Sequence, residues 1–252
     1  MIPDPLFDFT DKVVLVTGGS RGLGYRMAMA FAQRGADLIV ASRKLENCEK
    51  VAGEVRALGR RALAVGMHAG RWADCDALIE QAYGEFGRVD VLVNNAGMSP
   101  ACPSHELTEA LFDSVLNLNF KGPFRLASQI GHRMASDDFG GSGGAIINIS
   151  SIASIRAAPG VVPYSGAKAA LNAMTVSLAR EYAPKVRVNA IVAGAFLTDI
   201  AEAWEPEKRE KQPVALGRPG RPEEIITAAL MLASSASSYT TGELLHVDGG
   251  SL

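Results

Sequence analysis

Lys12-Val13-Val14-Leu15-Val16-Thr17 is a short apolar, β-branched run that ends in a glycine-rich turn and passes into a helical stretch, Tyr25 to Arg34. Such a run reads as a strand buried on both faces, and the same alternation of strand and helix recurs to the end of the chain. Strands are predicted at Ala36–Ala41, Arg61–Met67, Val89–Val93, Ala145–Ser150, Val186–Val192 and Leu244–Val247. Helical patterns fall between them at Asn47–Leu58, Trp72–Phe86, Tyr164–Glu181 and Pro222–Ala233, while Thr108–Asp138 holds one long helix or two stacked ones. Seven strands separated by helices confine the chain to an α/β fold, a doubly wound, mostly parallel sheet of Rossmann type with helices on both faces. Hydrophobic residues make up 48% of the chain, enough for the core of such a sheet. No repeat and no long linker divides the 252 residues, so one domain spanning 1–252 is expected.

Charge and cysteine content remove several function classes. The 25 Lys and Arg against 27 Asp and Glu form no basic stripe, which argues against nucleic acid as a partner. No apolar run approaches the length of a membrane span. Met1 to Asp11 carries Asp4, Asp8 and Asp11 and lacks a basic leader, so a secretory signal is not expected. Cys48, Cys75 and Cys102 are widely separated and match neither a disulfide scaffold nor a zinc pattern, which points to the reducing cytoplasm. His68, His105, His132 and His246 are scattered, and no metal is expected.

The glycine turn carries the first chemical signal. Gly18, Gly22 and Gly24 lie between the first strand and the first helix. There, backbone N–H groups and the positive helix end can meet a pyrophosphate, with Ser20, Arg21 and Leu23 as the intervening residues. The spacing is G-x-x-x-G-x-G, unlike the G-x-G-x-x-G fingerprint, and Leu23-Gly24-Tyr25 lacks the Gly-Lys-Ser/Thr of a P-loop. The second strand ends in Ala41-Ser42-Arg43-Lys44, without the acid that would bond ribose hydroxyls. Arg43, with Ser42 beside it and Arg21 in the loop, suits the extra phosphate of NADP(H), so NADP(H) is expected ahead of NAD(H).

Ser150-Ser151 ends the fifth strand at the carboxyl edge, where open α/β sheets place their ligands. Tyr164 follows thirteen residues after Ser151, and Lys168 stands four further on, on the same helix face. A phenol is a poor proton donor near neutrality, and a neighbouring ammonium favours its ionised form. A strand-end serine hydroxyl can hold a substrate oxygen. Alone, the Tyr-x-x-x-Lys pair is also what a buried tyrosine with a snorkelling lysine would give.

Together these segments resemble the short-chain dehydrogenase/reductase family almost end to end. Thr17 to Gly24 resembles its TGxxxGxG loop, Asn94-Asn95-Ala96-Gly97 its NNAG segment, and Asn119 its asparagine; Ser151, Tyr164 and Lys168 complete the family's tetrad. The resemblance implies a sheet order of 3-2-1-4-5-6-7 and a homo-oligomer, with a tetramer favoured. It further implies that Tyr164 is the acid in carbonyl reduction and the base in alcohol oxidation, and that Ser151 polarises the substrate oxygen. Lys168 would lower the tyrosine pKa and bond the nicotinamide ribose, and Asn119 would hold a water of the proton relay. Asn95, Ala96 and Gly97 would line the cofactor cleft, and Thr198 would meet the nicotinamide carboxamide. The glycine loop is similar to those of 3-oxoacyl-thioester reductases and gluconate 5-dehydrogenases.

The chain departs from the family at two places. His68 stands where an aspartate often meets adenine; either the imidazole bonds the ring, or backbone near Ala69 does and His68 faces solvent. Val192-Ala193-Gly194 replaces the usual Pro-Gly pair after the sixth strand. A lid over about 197–216 is expected to cover a small-molecule carbonyl or alcohol substrate, with Trp204 as an apolar wall or as an anchor. Ala153, Ser154, Val161, Met98 and Ser99 should line a mostly small, apolar cleft. The competing readings are an NAD-dependent alcohol dehydrogenase of the same fold and a catalytically silent dinucleotide-binding sensor or scaffold.

Overall fold

The computed structural model describes residues 5–137, 143–199, 201 and 205–251. The strands are β1 (Val13–Thr17), β2 (Asp37–Ser42), β3 (Ala62–Gly66), β4 (Val91–Asn94), β5 (Gly144–Ser151), β6 (Val186–Ala193) and β7 (Leu244–Val247). The helices are α1 (Gly22–Ala32), α2 (Leu45–Ala57), α3 (Trp72–Phe86), α4 (Glu109–Leu116), α5 (Gly122–Ala135), α6 (Val162–Glu181), α7 (Pro206–Glu210) and α8 (Ile226–Ala233). All seven strands pair in parallel in the order β3-β2-β1-β4-β5-β6-β7, as expected. Val14 of β1 faces Leu38 on one side and Val91 on the other. The winding therefore reverses at β1, and reversal leaves a crevice beyond the carboxyl ends of β1 and β4.

The unbroken apolar run of β1 follows from burial on both faces. Val14 and Val16 pack with Met27 and Phe31 of α1, Val51 of α2 and Leu230 of α8. Val13 and Leu15 pack on the opposite side with Leu78 of α3, Ile130 of α5 and Leu171 of α6.

Three element boundaries differ from the sequence reading, each for a local reason. Helix α1 starts at Gly22, so Leu23 and Gly24 lie in its first turn rather than in the preceding loop. The stretch from Thr108 is two helices, α4 and α5, joined by a π-helical turn, Asn117–Lys121. In that turn the Gly122 N–H reaches back five residues to the Asn117 carbonyl. Pro123, at the start of α5, has no N–H to give the Asn119 carbonyl four residues before it. The stretch from Pro222 opens as a 3-10 turn, Pro222–Ile225, before α8. Asp138 and the lid positions Ile200 and Trp204 lie outside the described residues; the described part of the lid holds the single short helix α7.

Candidate active site

The glycine loop is pinned from beneath. Thr17 Oγ1 accepts the N–H groups of Asn95 (3.0 Å) and Ala96 (3.1 Å). Asn95 Nδ2 returns hydrogen bonds to the carbonyls of Thr17 (2.9 Å) and Gly18 (3.2 Å). Asn95 is thus a brace between the NNAG segment and the loop. Gly24 has no alternative residue: a Cβ there would stand 2.3 Å from the Gly18 carbonyl oxygen. Arg21, at the N-cap of α1, has an extended backbone, and its side chain makes no capping bond. The first-turn N–H groups at Gly22, Leu23 and Gly24 are consequently free of a side-chain cap at the positive end of an 11-residue helix. Those donors fit a pyrophosphate, and Thr198 lies beside them, its Cβ 3.6 Å from where a Gly22 Cβ would be.

At the end of β2, the Ser20 and Ser42 hydroxyls bond each other at 2.8 Å, and Ser42 Oγ also meets Cys48 Sγ at 3.1 Å. Cys48 is buried and its thiol is pushed up by desolvation. Arg43 is exposed just past the strand. Arg21 Nη1 pairs with Asp199 Oδ2 at 3.4 Å, a contact across 178 residues that no local pattern could have revealed. At the end of β3, His68 Nδ1 accepts the Gly70 N–H (3.1 Å), and the His68 backbone N–H donates to Asp74 (2.9 Å). The ring caps the turn into α3 and keeps its proton on Nε2. Ala69 is buried, its carbonyl accepting from the Cys75 thiol at 3.5 Å.

The tetrad residues converge where β4, β5, α6 and the π turn meet. Asn119 is fully buried, and its Nδ2 donates to the carbonyls of Met98 and Val115, both at 2.9 Å. A Cβ on Gly97 would fall 2.8 Å from Asn119 Oδ1 and 3.6 Å from Lys168 Nζ, so glycine is what lets these groups approach. Lys168 Nζ donates to the Ile149 carbonyl at 2.8 Å and stands 5.7 Å from the Tyr164 ring centroid. Burial pulls this lysine down to about 8. Burial also raises the Tyr164 phenol above its ordinary value, and the hydrogen bond with the Ser151 side chain pulls it partly back. The direction expected from Lys168 alone is therefore outweighed in the bare chain by desolvation. Two of the site's supports escaped the sequence reading: Thr17 as acceptor for the NNAG backbone, and Asp199 as partner of Arg21.

The short chain dehydrogenase family model matches residues 12–209. The chain is 40% identical over 249 residues to an uncharacterized oxidoreductase of Mycobacterium tuberculosis, covering 97% of this chain and 94% of that one. It is 36% identical over 251 residues to an NAD-dependent glycerol dehydrogenase of Listeria innocua, covering 98% and 96%. A solved 7 alpha-hydroxysteroid dehydrogenase, complexed with NADH and 7-oxo glycochenodeoxycholic acid, superposes with a TM-score of 0.92 at 30% identity, covering 100% of this chain and 98% of that one. The chain belongs to the short-chain dehydrogenase/reductase family, oxidoreductases that transfer hydride with a nicotinamide dinucleotide and act on small molecules.

Proposed function

We propose that the protein is an NADP(H)-dependent oxidoreductase interconverting a ketone and a secondary alcohol. The observation that carries this reading is the Ser151–Tyr164 hydrogen bond at the carboxyl end of β5, with Lys168 held beside it from the same helix. Ser151 orients and polarises the substrate oxygen, and Tyr164 gives it a proton in reduction or takes one in oxidation. The bound dinucleotide supplies the hydride. Gly18, Gly22, Leu23 and Gly24 would hold its pyrophosphate, Asn95 to Gly97 would line its cleft, and Lys168 and Thr198 would address its nicotinamide end. Both Asn119 side-chain hydrogens go to main-chain carbonyls, so its part in a proton relay falls to its own carbonyl, which Pro123 leaves without an α-helical donor. His68 serves the adenine end, at most, through Nε2.

NADP(H) is favoured because β2 ends in Ser42 and Arg43, with no carboxylate, and Arg21 lies across the Ser20–Ser42 pair. A specific observation favours the NAD(H) reading: Arg21 already has a carboxylate partner in Asp199. The names of the glycerol dehydrogenase and hydroxysteroid dehydrogenase also point to NAD and NADH. Exposed Ile155 and Val162, between Ser151 and Tyr164, support an apolar carbonyl substrate of medium size. A homotetramer belongs to the same reading, supported by the partly buried β7 at the open edge of the sheet. So does a cytoplasmic location, supported by three free cysteines; among the described residues no helix is long and apolar enough to cross a membrane.

The test is to titrate the protein with NADPH and NADH at fixed salt, followed by fluorescence. The same preparation is then assayed on ethyl acetoacetate, 2,3-butanedione, 9,10-phenanthrenequinone and a 3-oxosteroid. Reduction of at least one carbonyl with a tenfold or greater preference for NADPH is expected. Equal affinities would move the assignment to NAD(H), and binding without any turnover would favour the sensor.

A further inference from the structure

Tyr164, Lys168 and Asn172 stand four residues apart along one face of α6, and each reaches toward the end of β5. Tyr164 meets the Ser151 side chain, and Lys168 Nζ meets the Ile149 carbonyl at 2.8 Å. Asn172 Nδ2 donates to Ser154 Oγ at 2.8 Å, and Ser154 Oγ donates to the Ser151 carbonyl at 2.5 Å. The Ala153 N–H donates to Ser151 Oγ at 3.2 Å, so the 3-10 turn Ile152–Ser154 grips Ser151 by both its hydroxyl and its main chain.

We propose that Asn172 is a positioning residue that, through Ser154, holds this turn against α6 and so sets the Ser151 hydroxyl onto Tyr164. The inference rests on reading Ser151 and Tyr164 as the acid–base pair. Packing alone does not account for an amide at this position. Asn172 is 8% exposed, and its Oδ1 is buried without a hydrogen-bond partner in the structure. An orphaned buried acceptor is destabilising, and a leucine of similar volume would avoid it. The bond Asn172 does make goes to Ser154, whose other bond reaches Ser151. The reactive side chains and their supports thus share one helix face, so a rigid α6 keeps all three contacts in register.

A loosened turn weakens the Ser151 hydrogen bond that opposes the burial of Tyr164, so the phenol should ionise at higher pH. Lys168, the charged group nearest the ring with Nζ 5.7 Å from its centroid, is unchanged in the variants that test this. The variants are Asn172→Leu, Ser154→Ala and the double substitution. The first measurement is ultraviolet difference titration of the cofactor-free protein, with the Tyr164→Phe signal subtracted to isolate this phenol. The second is kcat and KM on whichever of the four carbonyls above the wild type reduces fastest. Both single variants should raise the phenol titration and lower kcat about three- to tenfold, with NADPH affinity unchanged. The double variant should be no worse than the weaker single, because both break one chain of contacts. A wild-type titration and kcat in either single variant, or losses that multiply in the double, would overturn the proposal. Ser154→Ala removes only a hydroxyl at a partly exposed turn, and carries the test if Asn172→Leu fails to fold. Wild-type turnover in Tyr164→Phe would instead refute the acid–base reading, an outcome the titration separates from failure of the Asn172 link.

Discussion

Lys168 holds its ammonium against a peptide carbonyl in a fully buried position, and the consequence can be measured as stability. Its pKa is about 8 in the folded chain against an ordinary 10.5. Below about pH 8 the lysine is protonated both folded and unfolded, and its burial cost is present in full. Between about 8 and 10.5 the unfolded chain keeps the proton that the folded chain releases, so stability rises with pH. Compared with Lys168→Met, the wild type should gain on the order of 3 kcal/mol across that window, read by urea unfolding of both proteins at its two ends. A pH-independent difference would show that burial does not depress this group. Tyr164 and Lys168 were legible because four-residue spacing puts them on one helix face whatever the rest of the chain does. Asp199 was not legible, because its pairing with Arg21 exists only once β1 and β6 share a sheet. His68 was half legible: its position at the end of β3 followed from the pattern, but its bond with Gly70 N–H depends on the exact turn.

Among the elements, the glycine loop and the π turn show two kinds of legibility. The loop announced itself through three glycines after a buried strand, yet the start of α1 was misplaced because glycines read as loop residues by propensity. Contact with Gly18 and Asn95 overrides that propensity. Gly24→Ala would put a Cβ 2.3 Å from the Gly18 oxygen and 2.5 Å from Asn95 Nδ2. It should destabilise the protein by about 1–3 kcal/mol and weaken NADPH binding at least tenfold, seen by thermal unfolding and fluorescence titration. Wild-type stability and binding in that variant would contradict the packing described for the loop. The π turn left no periodic signature, since one extra residue per turn shifts the apolar phase only slightly, and Pro123 was the sole mark of a break. At the end of β2, Arg43→Asp should reduce NADPH affinity at least tenfold while leaving or improving that for NADH. One charge-assisted bond is worth roughly 1.5–3 kcal/mol, against the about 1.4 kcal/mol that tenfold requires. Unchanged NADPH preference in this variant would remove Arg43 from the cofactor site.

For the whole molecule, the order and direction of all seven strands followed from apolar runs such as Val13–Val16, whose residues alternate between two cores. That alternation places the carboxyl ends of β1, β4 and β5 along one edge, which is why residues as distant as Gly18, Gly97 and Ser151 can serve one cleft. Assembly was not legible in the same way, because Leu244, Leu245 and Val247 read as a buried strand whether a neighbouring chain or this chain's own helices cover them. Light scattering should give four times the 26.5 kDa chain mass; a monomer would leave β7 as an ordinary edge strand. The central claim is that this edge carries out hydride transfer to a carbonyl carbon, with Tyr164 supplying the proton. The most direct test uses NADPH and NADH deuterated at the transferring carbon of the nicotinamide, the four carbonyls named above, and mass spectrometry of the products. The wild type should place one deuterium on the carbinol carbon of at least one product, and Tyr164→Phe should do so about 10² to 10⁴ times more slowly while still binding the dinucleotide. No deuterated alcohol from any pairing, or equal rates in the two proteins, would contradict it.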